Sequence, residues 1–255
     1  MRKLQVLGTP LLVTDYDELS ACCLEWARQN SSVAMDFSNT QIVTMRRHEA
    51  AFRELTNAYD AFSPDGMPLI WCLNRAGAAM RDRVYGPTFM RHFLLRAPGN
   101  VTHYLLGGSE DVAQKLREVF LRQNPALKFV GSFHGRCGPD GTLEGASEQE
   151  VIDELNRLSP DFIWVCFGAP KQQNWVSKHK RLLKRGVVMT VGFAFEVNAG
   201  VKPDAPDWMQ RQGLTWVYRL FSEPRRLALR YIKYNSLFLY YLIRDGLRGR
   251  AWGKP

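Results

Sequence analysis

Paired cysteines are missing from this chain. Its five cysteines, Cys22, Cys23, Cys72, Cys137 and Cys166, are odd in number, lack C-x-x-C spacing and mostly sit among apolar neighbours such as Trp71 and Val165. Disulfides and a zinc site are thereby disfavoured, and buried reduced thiols in a reducing compartment are expected. Long apolar runs are missing too. No segment reaches the roughly 18 residues of a spanning helix, and Asp15, Asp17 and Glu18 break up the N-terminal region, so neither a spanning helix nor an export signal is expected. Nucleotide fingerprints are also absent: G-x-G-x-x-G does not occur at a strand-to-helix turn, and no glycine-rich loop ends in GKS or GKT. Dehydrogenase and P-loop ATPase readings fall with them. The acids read as scattered rather than as a D-x-D pair at a strand end, so no metal is expected.

What is present is positive charge. Thirty-four Lys and Arg face 25 Asp and Glu, a formal net charge of +9. Such a surface attracts anions, whether nucleic acid, acidic headgroups or phosphorylated substrates, and charge alone does not choose among them. The 255 residues, 45% hydrophobic, suffice for one substantial core, so one domain or one domain with an appendage is expected.

Four apolar runs, VTHYLLGGS, LKFVGSFHG, DFIWVCFGAP and GVVMTVGFAFEV, are short, rich in β-branched and aromatic residues, and punctuated by glycine or small residues. They read as buried strands. Between them SEDVAQKLREVFLRQNP places Val112, Leu116, Val119 and Phe120 on one helical face, with Ser109 as N-cap and Pro125 as a stop. SEQEVIDELNRLSP repeats the device, with Ser147 and Glu150 at capping-box spacing. Alternating strand and helix predicts an α/β fold, a Rossmann-like, mostly parallel sheet flanked by helices. Ligands bind such sheets beyond the carboxyl ends of the strands.

After Asp204 the texture changes. Pro203, Pro206 and Pro224 punctuate short segments, and Arg219, Arg225, Arg226, Arg230, Lys233, Arg244, Arg248, Arg250 and Lys254 outnumber Asp207, Glu223 and Asp245. Residues 1–203 are read as the catalytic core and 204–255 as a helical, basic C-terminal appendage.

Asp65 stands in FSPDGMPLIW, where Pro64 and Gly66 force a turn before a strand-like apolar run. It is either an ordinary turn residue or a carboxylate fixed where a substrate hydroxyl can give up its proton. Gly107, Gly108 and Ser109 lie between strand and helix, where backbone amides can hold a phosphate or a ribose. In GAPKQQNW, Gly168, Pro170, Lys171 and Gln172 are either a plain helix start or a cluster of flexible backbone, cation and amide at the ligand-binding edge. The arginine run in YRLFSEPRRLALRY is either a solvated helix face or a set of planar donors suited to phosphate oxygens. From Tyr231 to Trp252 aromatic, aliphatic and basic residues interleave, as in a core helix with a basic end or an interfacial helix.

Together these segments resemble the bacterial WecG/TagA/CpsF glycosyltransferases over nearly the whole chain. The resemblance runs through NTQIV, PDG, RVYGPTFM, YLLGGS, NPALKFVGSFHG, GAPKQQNW, VGFAFEVNAGVKPDAPDWMQRQGL and TWVYRLFSEPRRLALRY. Departures from the family pattern fall at Phe37, Gln173, Glu196, Asp204 and Thr215.

The resemblance implies transfer of a hexosyl unit, of N-acetylmannosamine, its uronic acid or glucose type, from a UDP-sugar to a polyprenyl-diphosphate-linked sugar with inversion. It implies Asp65 as general base, Asn39 and Arg83 as positioning groups, Gln172 at the substrate, and Arg219, Arg225 and Arg226 at the departing UDP. No cofactor or metal is expected. The expected partners are the UDP-sugar, the polyprenyl-diphosphate-linked glycan and the membrane surface, with a homo-oligomer left open, at the cytoplasmic face of the bacterial inner membrane. Two rival readings are a basic nucleic-acid-binding module, for which helix-turn-helix, zinc-finger and RNP motifs are absent, and a noncatalytic member of the same fold.

Overall fold

The computed structural model describes residues 1–247. Arg248, Arg250, Trp252 and Lys254 of the basic tail lie outside the described residues. The strands are β1 (Lys3–Val6), β2 (Thr9–Leu12), β3 (Ser32–Ser38), β4 (Ala61–Pro64), β5 (Thr102–Gly107), β6 (Lys128–Phe133), β7 (Arg136–Cys137), β8 (Leu143–Glu144), β9 (Phe162–Cys166) and β10 (Gly186–Thr190). The helices are α1 (Tyr16–Ala27), α2 (Thr40–His48), α3 (Ala50–Thr56), α4 (Met67–Arg75), α5 (Gly86–Arg96), α6 (Glu110–Gln123), α7 (Glu148–Leu158), α8 (Lys171–His179), α9 (Ala194–Asn198), α10 (Asp207–Arg211), α11 (Thr215–Ser222) and α12 (Pro224–Leu247).

Eight strands form one sheet in the order β1-β2-β4-β3-β10-β9-β5-β6, parallel throughout except for the β1–β2 pair. This is the expected α/β architecture. Period-two alternation divides its side chains between two buried layers. Leu105, Phe162, Trp164, Val187 and Met189 enter one, with α1, α5 and α6 supplying Leu19, Phe93 and Leu116. Tyr104, Leu106, Ile163, Val165 and Val188 enter the other, with α4, α7, α8 and α12 supplying Leu73, Leu155, Trp175 and Phe238.

Three local expectations change. The apolar run after Asp65 is the helix α4, not a strand. Pro68 suits its first turn, and Leu69, Ile70, Cys72 and Leu73 bury one side of it. Ser147 precedes α7 without capping it through its side chain, and Glu148 Oε1 instead accepts from the Leu143 amide at 3.2 Å. The run GVVMTVGFAFEV is divided, since β10 ends at Thr190 and Ala194 opens α9. Ser109 does cap α6, accepting from the Val112 amide at 3.4 Å. All five cysteines are free, with Cys22 and Cys166 only half-buried. Among the described residues no helix is long and apolar enough to cross a membrane.

Candidate active site

Because β3, β4, β10, β9 and β5 run parallel, their carboxyl ends share one edge of the sheet. A cavity of about 1120 Å³ opens there. Asn39 enters it just after β3, Asp65 after β4, Gly108 after β5, Gly168, Lys171 and Gln172 after β9, and Gly192 after β10. Arg83 lines it too, and the C-terminal helices close the opposite wall with Thr215, Trp216, Arg219, Arg226, Arg230 and Tyr234.

Asp65 is held by its backbone amide, which donates to the Ser38 carbonyl at 2.8 Å. Its Oδ1 is sealed from solvent and has no hydrogen-bond partner. Burial lifts its pKa to about 8, against the downward pull of Arg83, the Gly86 amide and Arg219. A carboxyl poised near neutrality with an open acceptor position is suited to taking a proton.

Arg83 is 6% exposed, lies 4.2 Å from the centre of the Tyr85 ring and donates from Nη2 to Thr215 Oγ1 at 2.8 Å. Tyr85 in turn donates to Asp204 Oδ1 at 2.9 Å. Arg219 sits 3.8 Å over the Phe193 ring. These contacts tie the chain after Asp204 to the sheet edge and leave planar guanidinium groups at the cavity wall.

The candidate residues separate into two groups. Asn39, Asp65, Arg83, Gly108, Gly168, Lys171, Gln172, Arg219 and Arg226 line the cavity; Gly107, Ser109, Pro170 and Arg225 do not. Gly107 lies just below it with φ +98°, where an added Cβ would stand 2.8 Å from the Cys166 carbonyl oxygen. Lys171 directs its Nζ to the Cys137 carbonyl at 2.6 Å. Arg226 is partly exposed and paired with Glu223.

Sequence reasoning left Arg230, Tyr85, Thr190 and Gln173 off the candidate set, although all four line the cavity. Arg230 donates to the Ala169 carbonyl at 3.2 Å, and its signal was its place in the same arginine run. The reading of the acids also needs correction, since Asp15 and Asp17 flank Tyr16 at D-x-D spacing after β2. Both serve α1 instead of the cavity. Asp15 Oδ1 accepts from the Asp17 and Glu18 amides at 3.0 and 2.8 Å, and Asp17 meets His92 at 2.9 Å.

The model of the glycosyl transferase WecG/TagA/CpsF family matches residues 4–251. The chain belongs to this family. Similar WecG/TagA/CpsF relatives include the N-acetylglucosaminyldiphosphoundecaprenol N-acetyl-beta-D-mannosaminyltransferases of Staphylococcus aureus strains MW2 and NCTC 8325 / PS 47. Each is 27% identical over 210 residues, covering 81% of this chain and 78% of the relative. The WecG/TagA/CpsF assignment agrees with the resemblance read from the motifs.

Proposed function

We propose that this chain transfers a hexosyl unit, of N-acetylmannosamine, its uronic acid or glucose type, from a UDP-sugar to a polyprenyl-diphosphate-linked sugar, with inversion. The observation that carries the reading is the open Oδ1 of Asp65 in the same cavity as Arg83, Arg219, Arg226 and Arg230. The names of the staphylococcal relatives, which pair a diphosphoundecaprenol-linked sugar with a transferred N-acetylmannosaminyl unit, support the choice of acceptor and sugar.

In the proposed reaction the acceptor hydroxyl attacks the anomeric carbon as the bond from that carbon to the UDP oxygen breaks. The hydroxyl proton passes to Asp65, and the arginines meet the charge growing on the diphosphate. A single displacement inverts the anomeric centre. Guanidinium groups here do the charge neutralisation that other transferases give to a metal, so the reaction is proposed to be metal-independent.

The acceptor's lipid places the work at a membrane. Phe221, Leu229 and Ile232 are 81, 82 and 66% exposed, and Leu239, Tyr240 and Ile243 continue the exposed apolar series along α12 among Lys233 and Arg244. This surface is proposed to rest on the cytoplasmic face of the bacterial inner membrane, with residues 204–255 acting as the appendage.

The reading is tested with radiolabelled UDP-N-acetylmannosamine and a short-chain polyprenyl-diphosphate-N-acetylglucosamine. A labelled lipid product of inverted configuration, formed equally well in EDTA, is expected. Failure of the chain to bind any UDP-sugar would overturn the donor assignment, and activity restored only by Mg²⁺ or Mn²⁺ would overturn the metal-independent step.

A further inference from the structure

One buried carboxylate beneath the cavity touches no reacting group in that scheme, although its charge adds to the upward push on Asp65. Asp36, on β3, is fully buried and takes hydrogen bonds from Ser38 Oγ, from Thr190 Oγ1 at 2.5 Å and from Gln173 Nε2 at 2.7 Å. Burial pushes the Asp36 pKa up, and these three hydrogen bonds and the charge of Arg46 pull against it. As an ionised carboxylate Asp36 only accepts, so the glutamine facing it presents its NH₂ group, as the Nε2 contact shows. The other end of the Gln173 amide is thereby fixed as well. Its Oε1 is buried without a partner, in a residue that is 1% exposed and lines the cavity.

Gln172 has the opposite polarity. Its Oε1 accepts from the Gly168 amide at 3.1 Å, which leaves its Nε2 to donate. Consecutive residues that both line the cavity thus have amides of opposite orientation, one with its oxygen unpartnered and the other with its oxygen engaged.

We infer that Gln173 Oε1, oriented by Asp36, is an acceptor subsite for an amide-type N–H of the donor substrate. The inference rests on the UDP-sugar reading above. Two parts of such a donor carry an N–H beside a carbonyl: the uracil ring at N3, and an acetamido group on the sugar. Gln173 reads one of these directly, and Asp36 is a positioning residue that prevents the amide from turning over. A buried oxygen that a ligand must satisfy discriminates against ligands unable to donate to it.

The test is calorimetric titration of wild type, Gln173→Met and Asp36→Asn, with thermal melts as the check on folding. The probes are UDP, N3-methyl-UDP, UDP-N-acetylmannosamine and the 2-deoxy counterpart of that sugar nucleotide. In wild type, one of the two N–H deletions, at uracil N3 or at the acetamido position, is expected to weaken binding about tenfold, which corresponds to ~1.4 kcal/mol. The affected arm identifies the source of the N–H. Gln173→Met is expected to lose that discrimination. Asp36→Asn is expected to lose it as well, because its amide offers Gln173 Oε1 a donor to turn towards, and the double variant should bind no worse than Gln173→Met alone. Should Gln173→Met fail to fold, the near-isosteric Asp36→Asn and the two ligand arms on wild type carry the test. Absence of discrimination in wild type, or its persistence in either variant, overturns the inference while leaving the donor reading intact. If wild type binds neither UDP nor the UDP-sugar, the donor reading fails first and this subsite with it.

Discussion

The two walls of the cavity are built differently. The wall carrying Asp65, Asn39 and Gln173 grows from the ends of buried strands, where the β3–β4 ladder and the Asp65 amide bond to Ser38 fix the first two and Asp36 holds Gln173. The wall carrying Arg219, Arg226 and Arg230 belongs to α11 and α12, whose outer surface exposes Phe221 and Leu229. Its inner side packs Leu227, Tyr234, Phe238 and Tyr241 against the core, and at the sheet edge it is joined by polar contacts including Arg83 to Thr215, Tyr85 to Asp204 and Arg230 to Ala169. The base proposed at Asp65 would need a fixed position and a tuned pKa, and buried strands supply both. Arginines in the role proposed for them at a diphosphate would tolerate more latitude, because long side chains reach and each fork offers several donors.

The largest effect should come from the rigid wall. Asp65→Asn is expected to cut turnover by about 10²–10⁴-fold with UDP affinity nearly unchanged, and near-normal turnover would remove Asp65 from the proposed role. On the other wall, Arg219→Ala should cost on the order of 10²-fold in kcat. Arg225→Ala, one residue from Arg226 but outside the cavity, should fall within about twofold of wild type, as surface substitutions generally do. Equal losses in the two arginine variants would erase the distinction between wall and surface.

The raised pKa of Asp65 gives the third expectation. Since only the deprotonated carboxylate accepts a proton, kcat/KM should climb about tenfold per pH unit below about 8 and then level. A profile already flat from pH 6 would contradict the buried, elevated carboxyl. The smallest effect is on stability. With the folded pKa above the unfolded one, the folded state binds more protons between about pH 4 and 8, so Asp65 destabilises the fold progressively across that window. The melting temperature of Asp65→Asn should therefore exceed that of wild type at pH 8, and the gap should close towards pH 4.

Much of this was legible in sequence. β5, β6, β9 and β10 announced themselves as apolar runs punctuated by glycine, and α6 by its cap and one-sided pattern. The first four strands gave weaker signals, because β1, β2 and β4 are only four residues long and β3 carries Asp36 within its apolar run. That acid was the one local clue to a buried polar network, and recognising it required Thr190 and Gln173, which lie far away in the chain. Helix α4 passed for a strand because its five leading residues are all apolar or Pro. The choice between Arg225 and Arg226 was beyond sequence reasoning, since neighbours on a helix point about 100° apart and only packing decides which one faces inward.

Helices α2, α4 and α8 follow parallel strands, and each has its first turn at the cavity, where Thr40, Met67 and Lys171 lie in the lining. Three sets of end-of-helix amides, each equivalent to about half a positive charge, therefore face the cavity that the arginines of α11 and α12 close from the other side. This part of the field belongs to the backbone, so no side-chain substitution removes it and no change of pH titrates it. Removing the arginines would leave this backbone contribution in place, facing the carboxyl groups of Asp65 and Glu196 in the same lining.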